Sequence, residues 1–262
     1  MTKMNRITEV FQSAQGPILN VYTTAGYPGF GDTMEVLEAL QEGGVDIIEI
    51  GMPYSDPVAD GETIQQSNQS ALDQGMTVAK LFDQLADMRS KIQVPVLLMG
   101  YINPVLQFGV ARFCQKCNEV GVDGLILPDL PMAEYEREYK AIFERYGLFN
   151  IFLITPQTSD ERIRQIDSVS EGFIYMVSSA STTGAKTGIS SDQEAYFARI
   201  EGMELKNPRL VGFGISDRAS FLKASKGASG AIIGSAFVKL VGQAKDIRSE
   251  VVTFVKGIKG LA

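Results

Sequence analysis

Short apolar runs and longer amphipathic stretches alternate along this chain. The apolar runs are of strand type and end in glycine, proline or polar residues, whereas apolar positions between them recur at helical spacing. Eight strands are predicted, at residues 18–25, 45–52, 94–101, 124–128, 150–155, 173–178, 209–214 and 230–234. Clear helix candidates cover residues 33–42, 134–145, 160–169 and 218–226. Because parallel neighbours need a crossover, usually a helix, the alternation predicts βαβ units and a parallel sheet.

Eight such units in 262 residues are the number found in a (β/α)8 TIM barrel. We therefore predict an α/β protein with one barrel domain over residues 1–262. An open doubly wound sheet is the alternative, although AGYPGFGD after the first strand is not a G-x-G-x-x-G turn. The interval 61–91 predicts two helices split at Gly75, and residues 3–14 predict an extra N-terminal helix that plugs the barrel floor.

The second strand contains a carboxylate among isoleucines. Glu49 follows Ile47 and Ile48 and precedes Ile50, in a stretch where a buried parallel strand is apolar on both faces. A glutamate is almost never fully buried without compensation, because burial penalises its charged form. Glu49 is therefore either a structural residue satisfied by a neighbouring donor or a functional carboxyl group.

Several other polar residues fall at predicted carboxyl ends of strands. In a barrel the chemistry belongs at this end, in the loops that leave the strands. Asp60, Asn103, Asp129 and Tyr175 all fall there, together with Glu49. Tyr175 is either a packed barrel aromatic or a hydroxyl group that faces a substrate.

The last two predicted loops are rich in glycine and serine. They read GFGIS at residues 212–216 and IGSA at residues 233–236, where Ser216 and Ser235 could cap helices or donate hydroxyl groups. Each motif alone is typical of a turn, but both together at adjacent strand ends favour phosphate binding. Loops 53–60 and 179–188 are either plain surface connections or lids that close over the ligand.

The amino-acid composition limits the partners and the kinds of catalysis that are possible for this chain. A net charge of −7 and a pI near 4.8 disfavour nucleic acid as a partner. The chain has no histidine, which excludes Ser-His-Asp and Cys-His nucleophile systems and imidazole proton shuttles. The two cysteines, Cys114 and Cys117, are expected to be neighbours on one helix rather than a redox pair or a metal site.

No apolar run approaches the roughly 20 residues of a membrane span. Residues 1–15 are polar and lack the apolar centre of a signal peptide. We therefore expect a cytoplasmic protein that does not associate with membranes.

The run IEIGMPYSDPVADG at residues 48–61 closely resembles the signature of the tryptophan synthase alpha chain family. The similarity extends over essentially the whole chain. It includes TTAGYP at 23–28, GYINPV at 100–105, LPDLP at 127–131, the Thr183-Gly184 pair and both glycine-rich loops. A match of fourteen residues with both carboxylates in register is specific, unlike a lone Asp-Gly or Gly-Ser.

This resemblance implies retro-aldol cleavage of indole-3-glycerol phosphate to indole and glyceraldehyde 3-phosphate. It also implies an α2β2 tetramer with a tryptophan synthase beta chain that carries pyridoxal phosphate, and no cofactor in this chain. By position, Glu49 would be the proton-transfer carboxylate and Asp60 the group on the indole nitrogen. Substrate contacts implied by the resemblance are Tyr22, Ile64, Tyr101, Tyr175, Thr183, Gly184, Phe213, Gly214, Gly234 and Ser235.

The implied chemistry suits the residues. One carboxyl group with a raised pKa can act as an acid and then, once ionised, as a base, and the pKa of Glu49 should lie above that of Asp60. The sequence departs from the family pattern at Ser179 and Ser181, and Tyr22 stands where Phe is common. A regulatory partner with little lyase activity, or a free-standing indole-releasing lyase, therefore remains an alternative.

Overall fold

The computed structural model describes residues 4–58, 60–177, 191–212 and 214–261. The strands within these ranges are β1 (Ile18–Thr24), β2 (Ile47–Gly51), β3 (Val96–Met99), β4 (Gly124–Ile126), β5 (Phe149–Ile151), β6 (Leu153–Ile154), β7 (Ile174–Val177), β8 (Arg209–Gly212) and β9 (Gly230–Ile233). All observed pairings between them are parallel. The sequence therefore folds into the parallel sheet that its alternating pattern predicts.

The sheet closes into a barrel. Its strand order is β5-β4-β3-β2-β1-β9-β8-β7-β6, and the first strand pairs with both the second and the last. β5 and β6 are separated along the chain by Phe152 alone, so they are two pieces of one barrel strand. The prediction of a single fifth strand over residues 150–155 is wrong in this detail, because the ladder pairs with β4 before the break and with β7 after it. The predicted (β/α)8 barrel is confirmed.

Helices cover the outside of the barrel. The α-helices in the described residues are α1 (Arg6–Ser13), α2 (Thr33–Gly43), α3 (Glu62–Asp73), α4 (Val78–Gln84), α5 (Met88–Lys91), α6 (Ile102–Phe108), α7 (Val110–Val120), α8 (Met132–Glu134), α9 (Lys140–Arg145), α10 (Asp160–Val169), α11 (Ser191–Glu201), α12 (Arg218–Ala224), α13 (Ser235–Val241) and α14 (Ile247–Lys259). A π-helical turn joins α8 to α9, and a 3-10 turn follows α12.

Two helix predictions need correction. The interval 61–91 holds three helices, α3 to α5, rather than two, although the first break does fall at Gly75, which has a φ of +86°. Residues 134–145 are not one regular α-helix, because the π-helical turn interrupts it. Cys114 and Cys117 lie fully buried on α7 with their thiols free, so they are helical neighbours as predicted.

The barrel interior is filled from its floor by apolar side chains. Alternate residues of a strand face the same side, and the inward set includes Ile18, Ile47 and Leu97, which form one buried cluster with Ile7 of α1. The ring of Phe11, also on α1, lies 5.8 Å from that of Phe173. The predicted N-terminal helix therefore plugs the amino-terminal end of the barrel.

Polar contacts hold this floor in place. Asp123 precedes β4 and is 4% exposed, and its carboxylate pairs with Arg6 of α1 at 2.8 Å and with Arg89 of α5 at 2.6 Å. The same carboxylate also accepts a hydrogen bond from the backbone N–H of Val96 at 2.8 Å. A buried carboxylate with this many donors is fully compensated, so Asp123 fixes the plug rather than serving chemistry.

Within the described residues, no helix is both long enough and apolar enough to cross a membrane.

Candidate active site

Polar and aromatic side chains face inward at the carboxyl end of the barrel. The register of β1 with β2 places Tyr22 opposite Glu49 and Thr24 opposite Gly51. Glu49 lies two residues after the inward-facing Ile47, so its side chain points to the same interior. The strand pattern thus directs a carboxyl group and a phenol into one space.

Glu49 is fully buried and only partly hydrogen-bonded. Its Oε2 accepts a hydrogen bond from Asn20 Nδ2 at 2.9 Å, while its Oε1 has no partner among the described residues. Burial raises the pKa of Glu49 to about 8; the Asn20 bond opposes this shift and the charge of Asp60 adds to it. At neutral pH the group is therefore mostly a protonated acid with one free oxygen.

Asp60 approaches the same space from the loop between β2 and α3. Burial raises its pKa to about 6, and a hydrogen bond from Tyr101 opposes the shift. Gln65 Nε2 donates to the backbone carbonyl of Asp60 at 2.8 Å and so ties the end of the loop to α3. The two carboxyl groups titrate in different ranges, in the predicted order, and Asp60 ionises first.

Two tyrosines lie over glycines on the inner wall. A Cβ at Gly51 would collide with the Tyr22 side chain, and a Cβ at Gly212 would collide with the ring of Tyr175. Burial raises the pKa of both phenols well above the ordinary value, and the charges of Glu49 and Asp60 reinforce this. Tyr175 therefore faces the carboxyl groups rather than the outer helices.

Hydroxyl groups link Tyr22 to α3 through hydrogen bonds. Thr24 Oγ1 lies 2.7 Å from Ser67 Oγ and 3.4 Å from the Tyr22 hydroxyl, and Ser67 Oγ in turn donates to the carbonyl of Ile64 at 2.9 Å. The Ile64 side chain packs with Tyr22 and Val238 in a small apolar cluster. This cluster gives the site an apolar wall next to Asp60.

The ends of the last two strands are adjacent. Gly214 follows β8 with a φ of +68°, and Gly234 and Ser235 follow β9, which pairs with both β8 and β1. A Cβ on Gly234 would lie 3.8 Å from the Cβ of Tyr22, so this loop borders the tyrosine. The structure thus places the two predicted glycine-rich loops side by side.

The two serines do not cap helices. Asp217 is the N-cap of α12, because its Oδ1 accepts from the Ser220 N–H at 2.8 Å, and Ser216 lies outside the helix. Gly234 is the N-cap of α13, and none of the described side chains caps that helix. Ser235 is exposed at the first position of α13, one residue after the N-cap.

Two predicted strand-end residues serve the scaffold. The Asp129 carboxylate accepts from the backbone N–H of Ile102 at 2.9 and 3.2 Å, which fixes the start of α6. Asn103 Nδ2 donates to the Tyr54 hydroxyl at 3.4 Å. Neither side chain forms a hydrogen bond with Glu49 or Asp60 within the described residues.

Some expected residues lie outside the described part of the chain. These are Thr183, Gly184 and Phe213, together with Ser179, Ser181 and the rest of loop 179–188. Within the described part, no group of three or more His, Cys, Asp or Glu side chains is arranged to hold a metal ion.

Sequence reasoning missed Asn20, Thr24 and Ser67. Asn20 carries the same signal as Glu49, a polar residue among apolar neighbours of a buried strand, and the same argument would have found it. The hydroxyl groups of Thr24 and Ser67 give no such signal, because threonine is common in strands and serine in helices.

Comparisons with known proteins agree with this geometry. The family model described as tryptophan synthase alpha chain matches residues 11–260. The tryptophan synthase alpha chain of Flavobacterium johnsoniae is 60% identical over 236 residues, which are 90% of this chain and 93% of that protein.

Solved structures give the same result. The tryptophan synthase alpha chain of Legionella pneumophila superposes with a TM-score of 0.89 at 29% identity, covering 98% of this chain and 97% of that one. A tryptophan synthase of M. tuberculosis, in an aminoacrylate-bound form, gives 0.85 at 29% identity over 97% and 98%. The chain described here belongs to the tryptophan synthase alpha chain family.

Proposed function

We propose that this chain cleaves indole-3-glycerol phosphate into indole and glyceraldehyde 3-phosphate. The observation that carries the proposal is the pairing of a buried carboxyl group, Glu49, whose pKa is about 8, with Asp60, whose pKa is about 6, in one barrel mouth. A carboxyl group that stays protonated at neutral pH beside one that is ionised is what acid-base cleavage requires. Membership of the family supports this reaction.

The two carboxyl groups take complementary roles. Neutral Glu49 gives its proton to C3 of the indole ring, so an O–H bond breaks and a C–H bond forms. Once ionised, Glu49 takes the proton of the glycerol hydroxyl group next to the breaking carbon–carbon bond, whose electrons neutralise the ring. Asp60 stabilises the positive charge that develops at the indole N–H. Protons and electrons balance without an added reagent.

The remaining residues divide between the two ends of the substrate. Tyr22, Ile64 and Tyr101 line the indole end, where the structure has aromatic and apolar side chains beside Asp60. The glycerol-phosphate end takes the other expected residues, which are Tyr175, Thr183, Gly184, Phe213, Gly214, Gly234 and Ser235. Adjacent loops with little side-chain bulk let backbone N–H groups approach a phosphate, which explains how an acidic protein takes an anion.

The proposed setting is a complex in the cytoplasm. A tryptophan synthase beta chain would carry pyridoxal phosphate and receive the indole, and the expected assembly is an α2β2 tetramer. Val58 follows β2 and is 76% exposed, and Leu106 on α6 is 47% exposed, so the mouth of the barrel presents apolar side chains. Pro131 and Asp56 are exposed in the same group of loops. Exposed apolar side chains around a site favour a protein partner.

Indole release from indole-3-glycerol phosphate tests the proposal. Wild type, Glu49→Gln and Asp60→Asn are assayed with and without a beta chain, and Glu62→Gln, an exposed carboxyl on α3, serves as the control. Each site variant should lose about 10²- to 10⁴-fold in kcat, the range for general acid-base catalysis, and the control should not.

The pH profile adds a second measurement. Activity should rise as Asp60 ionises near pH 6 and fall as Glu49 loses its proton near pH 8. Wild-type turnover in Glu49→Gln or Asp60→Asn would reject these roles. A wild-type chain that stimulates a beta chain but releases no indole would instead identify a regulatory partner.

A further inference from the structure

Two polar side chains lie together inside the apolar interior of the barrel. Asn20 of β1 and Glu49 of β2 are both 0% exposed. Below them the interior is built from apolar residues such as Ile18 and Ile47. Asn20 pairs in register with Ile47, and Tyr22 pairs with Glu49, so Asn20 lies one side-chain layer nearer the floor. The amide therefore reaches the carboxyl group from underneath.

Each of these two side chains uses only one of its polar atoms at the contact. Asn20 Nδ2 donates to Glu49 Oε2 at 2.9 Å, whereas Asn20 Oδ1 and Glu49 Oε1 have no partner among the described residues. Buried polar atoms in native proteins are nearly always hydrogen-bonded, and exceptions require an explanation. A free Oε1 above a fixed Oε2 is explained if a ligand supplies the missing contact.

We propose that Asn20 is a positioning residue for Glu49: its amide holds Oε2 and leaves Oε1 as the oxygen that exchanges the proton with the substrate. This inference rests on the proposed lyase function, in which Glu49 is the acid and base.

The Asn20 amide determines which oxygen of Glu49 carries the proton. An N–H group can only donate, and the carbonyl oxygen of a carboxylic acid is a much better acceptor than its hydroxyl oxygen, so the oxygen that faces Asn20 is the one without a proton. The proton of neutral Glu49 is therefore on Oε1. In the cleavage, the Oε1–H bond breaks as the new C–H bond forms at the indole ring, and ionised Oε1 then takes the glycerol hydroxyl proton. Throughout both steps Oε2 stays bonded to Asn20, so the side chain does not need to turn.

The charged and titratable groups around Glu49 come from three other elements. Asp60 approaches from the loop before α3, Tyr22 from β1 and Tyr175 from β7. Burial and Asp60 both raise the pKa of Glu49, and the Asn20 hydrogen bond lowers it. Asn20 thus keeps the carboxylate accessible for the base step against surroundings that favour the acid.

Asn20→Leu tests the inference, because leucine has a similar size and no donor. Asn20→Ala serves as a second variant in case the first does not fold. Asn150→Leu is the matched control, since Asn150 is also a buried strand asparagine whose Oδ1 has no partner in the described part of the chain, but it lies on β5. The measurements are kcat and KM for indole release across pH, and the titration of the Glu49 carboxyl by carbon-13 NMR in the ligand-free protein.

Both Asn20 variants should lower kcat by roughly ten-fold or more with little change in KM, because the lost contact orients the proton rather than the substrate. The Glu49 titration and the alkaline limb of activity should both move to higher pH. In Asn150→Leu the Glu49 titration and the alkaline limb of activity should stay at their wild-type pH.

Failure of the inference about Asn20 can be distinguished from failure of the proposed lyase function. An active wild-type chain whose Asn20 variants titrate and turn over like Asn150→Leu overturns the inference. A wild-type chain that releases no indole, but whose Glu49 titration still moves in the Asn20 variants, rejects the lyase function and retains the control of Glu49 by Asn20.

Discussion

Glu49 and Asp60 carry the same functional group in two different surroundings. Glu49 lies in the middle of a strand, where backbone and isoleucine side chains exclude water, and its pKa is about 8. Asp60 lies in a loop, receives a hydrogen bond from Tyr101 and has a pKa of about 6. Position in the chain therefore determines which of the two is the acid at neutral pH.

The raised pKa of Glu49 has a consequence for stability that is independent of activity. In the folded chain the carboxyl keeps its proton up to about pH 8, whereas the ordinary pKa of a glutamate is 4.5. Between these values the unfolded chain binds fewer protons, so the free energy of unfolding should fall as pH rises. Glu49→Gln removes this dependence.

Urea unfolding of wild type and Glu49→Gln at pH 5 and pH 8 measures the effect. Between pH 5 and pH 8 the free energy of unfolding of the variant should rise relative to that of wild type by several kcal/mol, at about 1.4 kcal/mol for each pH unit. Glu62→Gln is the control and should follow wild type. A constant difference between wild type and Glu49→Gln would show that Glu49 is already ionised in the folded protein.

At the scale of residues, a site residue could be predicted from the sequence where a polar side chain stands in an apolar stretch. Glu49 stands out among isoleucines, and Asp60 stands in register with it in the family signature. Asp129 and Asn103 have the right position in the chain, but Asp129 bonds to the start of α6 and Asn103 bonds to Tyr54. Their hydrogen-bond partners lie 27 and 49 positions away, so the sequence alone could not distinguish a scaffold contact from a functional one.

At the scale of elements, inward-facing tyrosines and glycines occur in pairs on neighbouring strands. Tyr22 of β1 lies over Gly51 of β2, and Tyr175 of β7 lies over Gly212 of β8. Each ring occupies the space that a side chain on the next strand would fill. The strands were predictable from their apolar runs, but this pairing was not, because it depends on register.

Gly212→Ala tests the second pair. The added methyl group would overlap the Tyr175 ring, so the ring must move toward the carboxyl groups or the strand must shift. Such overpacking typically costs about 1–3 kcal/mol, and we expect a lower melting temperature together with reduced indole release.

Gly257→Ala is the matched control for this change. Gly257 lies in α14, and a Cβ there would meet no atom of the described residues within 4 Å. Alanine should stabilise an exposed helix position by roughly 0.5–1 kcal/mol and leave activity unchanged. Equal melting temperatures and activities for Gly212→Ala and wild type would show that Tyr175 has room to move freely.

At the scale of the whole molecule, the two ends of the barrel differ in chemistry. The amino-terminal end is closed by α1 and by ion pairs to Asp123, and the carboxyl-terminal end holds the carboxyl groups and tyrosines. The number of βα units predicted this arrangement. It could not predict the break at Phe152, because the apolar run continues through it and only the pairing changes.

The apolar side chains at the mouth give a prediction for assembly. Leu106→Asp on α6 should weaken co-migration with a beta chain by at least ten-fold in affinity, because a charge at the centre of an apolar contact must be desolvated. Indole release by the isolated chain should change little, since Leu106 is 47% exposed and has no described contact with the carboxyl groups.

Leu222→Asp on α12 is the control, because Leu222 is also exposed, at 41%, but α12 follows β8, which is separated from β3 by three strands in the sheet order. Sizing and titration of a beta chain with each variant measure the difference. Equal binding by both variants would place the partner elsewhere on the surface.

Closure of the sheet also constrains how the chain can fold while it is being synthesised. β1 pairs with β9, the first strand with the last, and Asn5 at the start of α1 bonds to the carbonyls of Asp123 and Gly147. A ribosome releases the amino end first, so one edge of β1 stays unpaired until nearly all of the chain has emerged. Arrest of translation before β9 would therefore leave a nascent chain with an unpaired apolar strand, exposed to aggregation and to capture by chaperones.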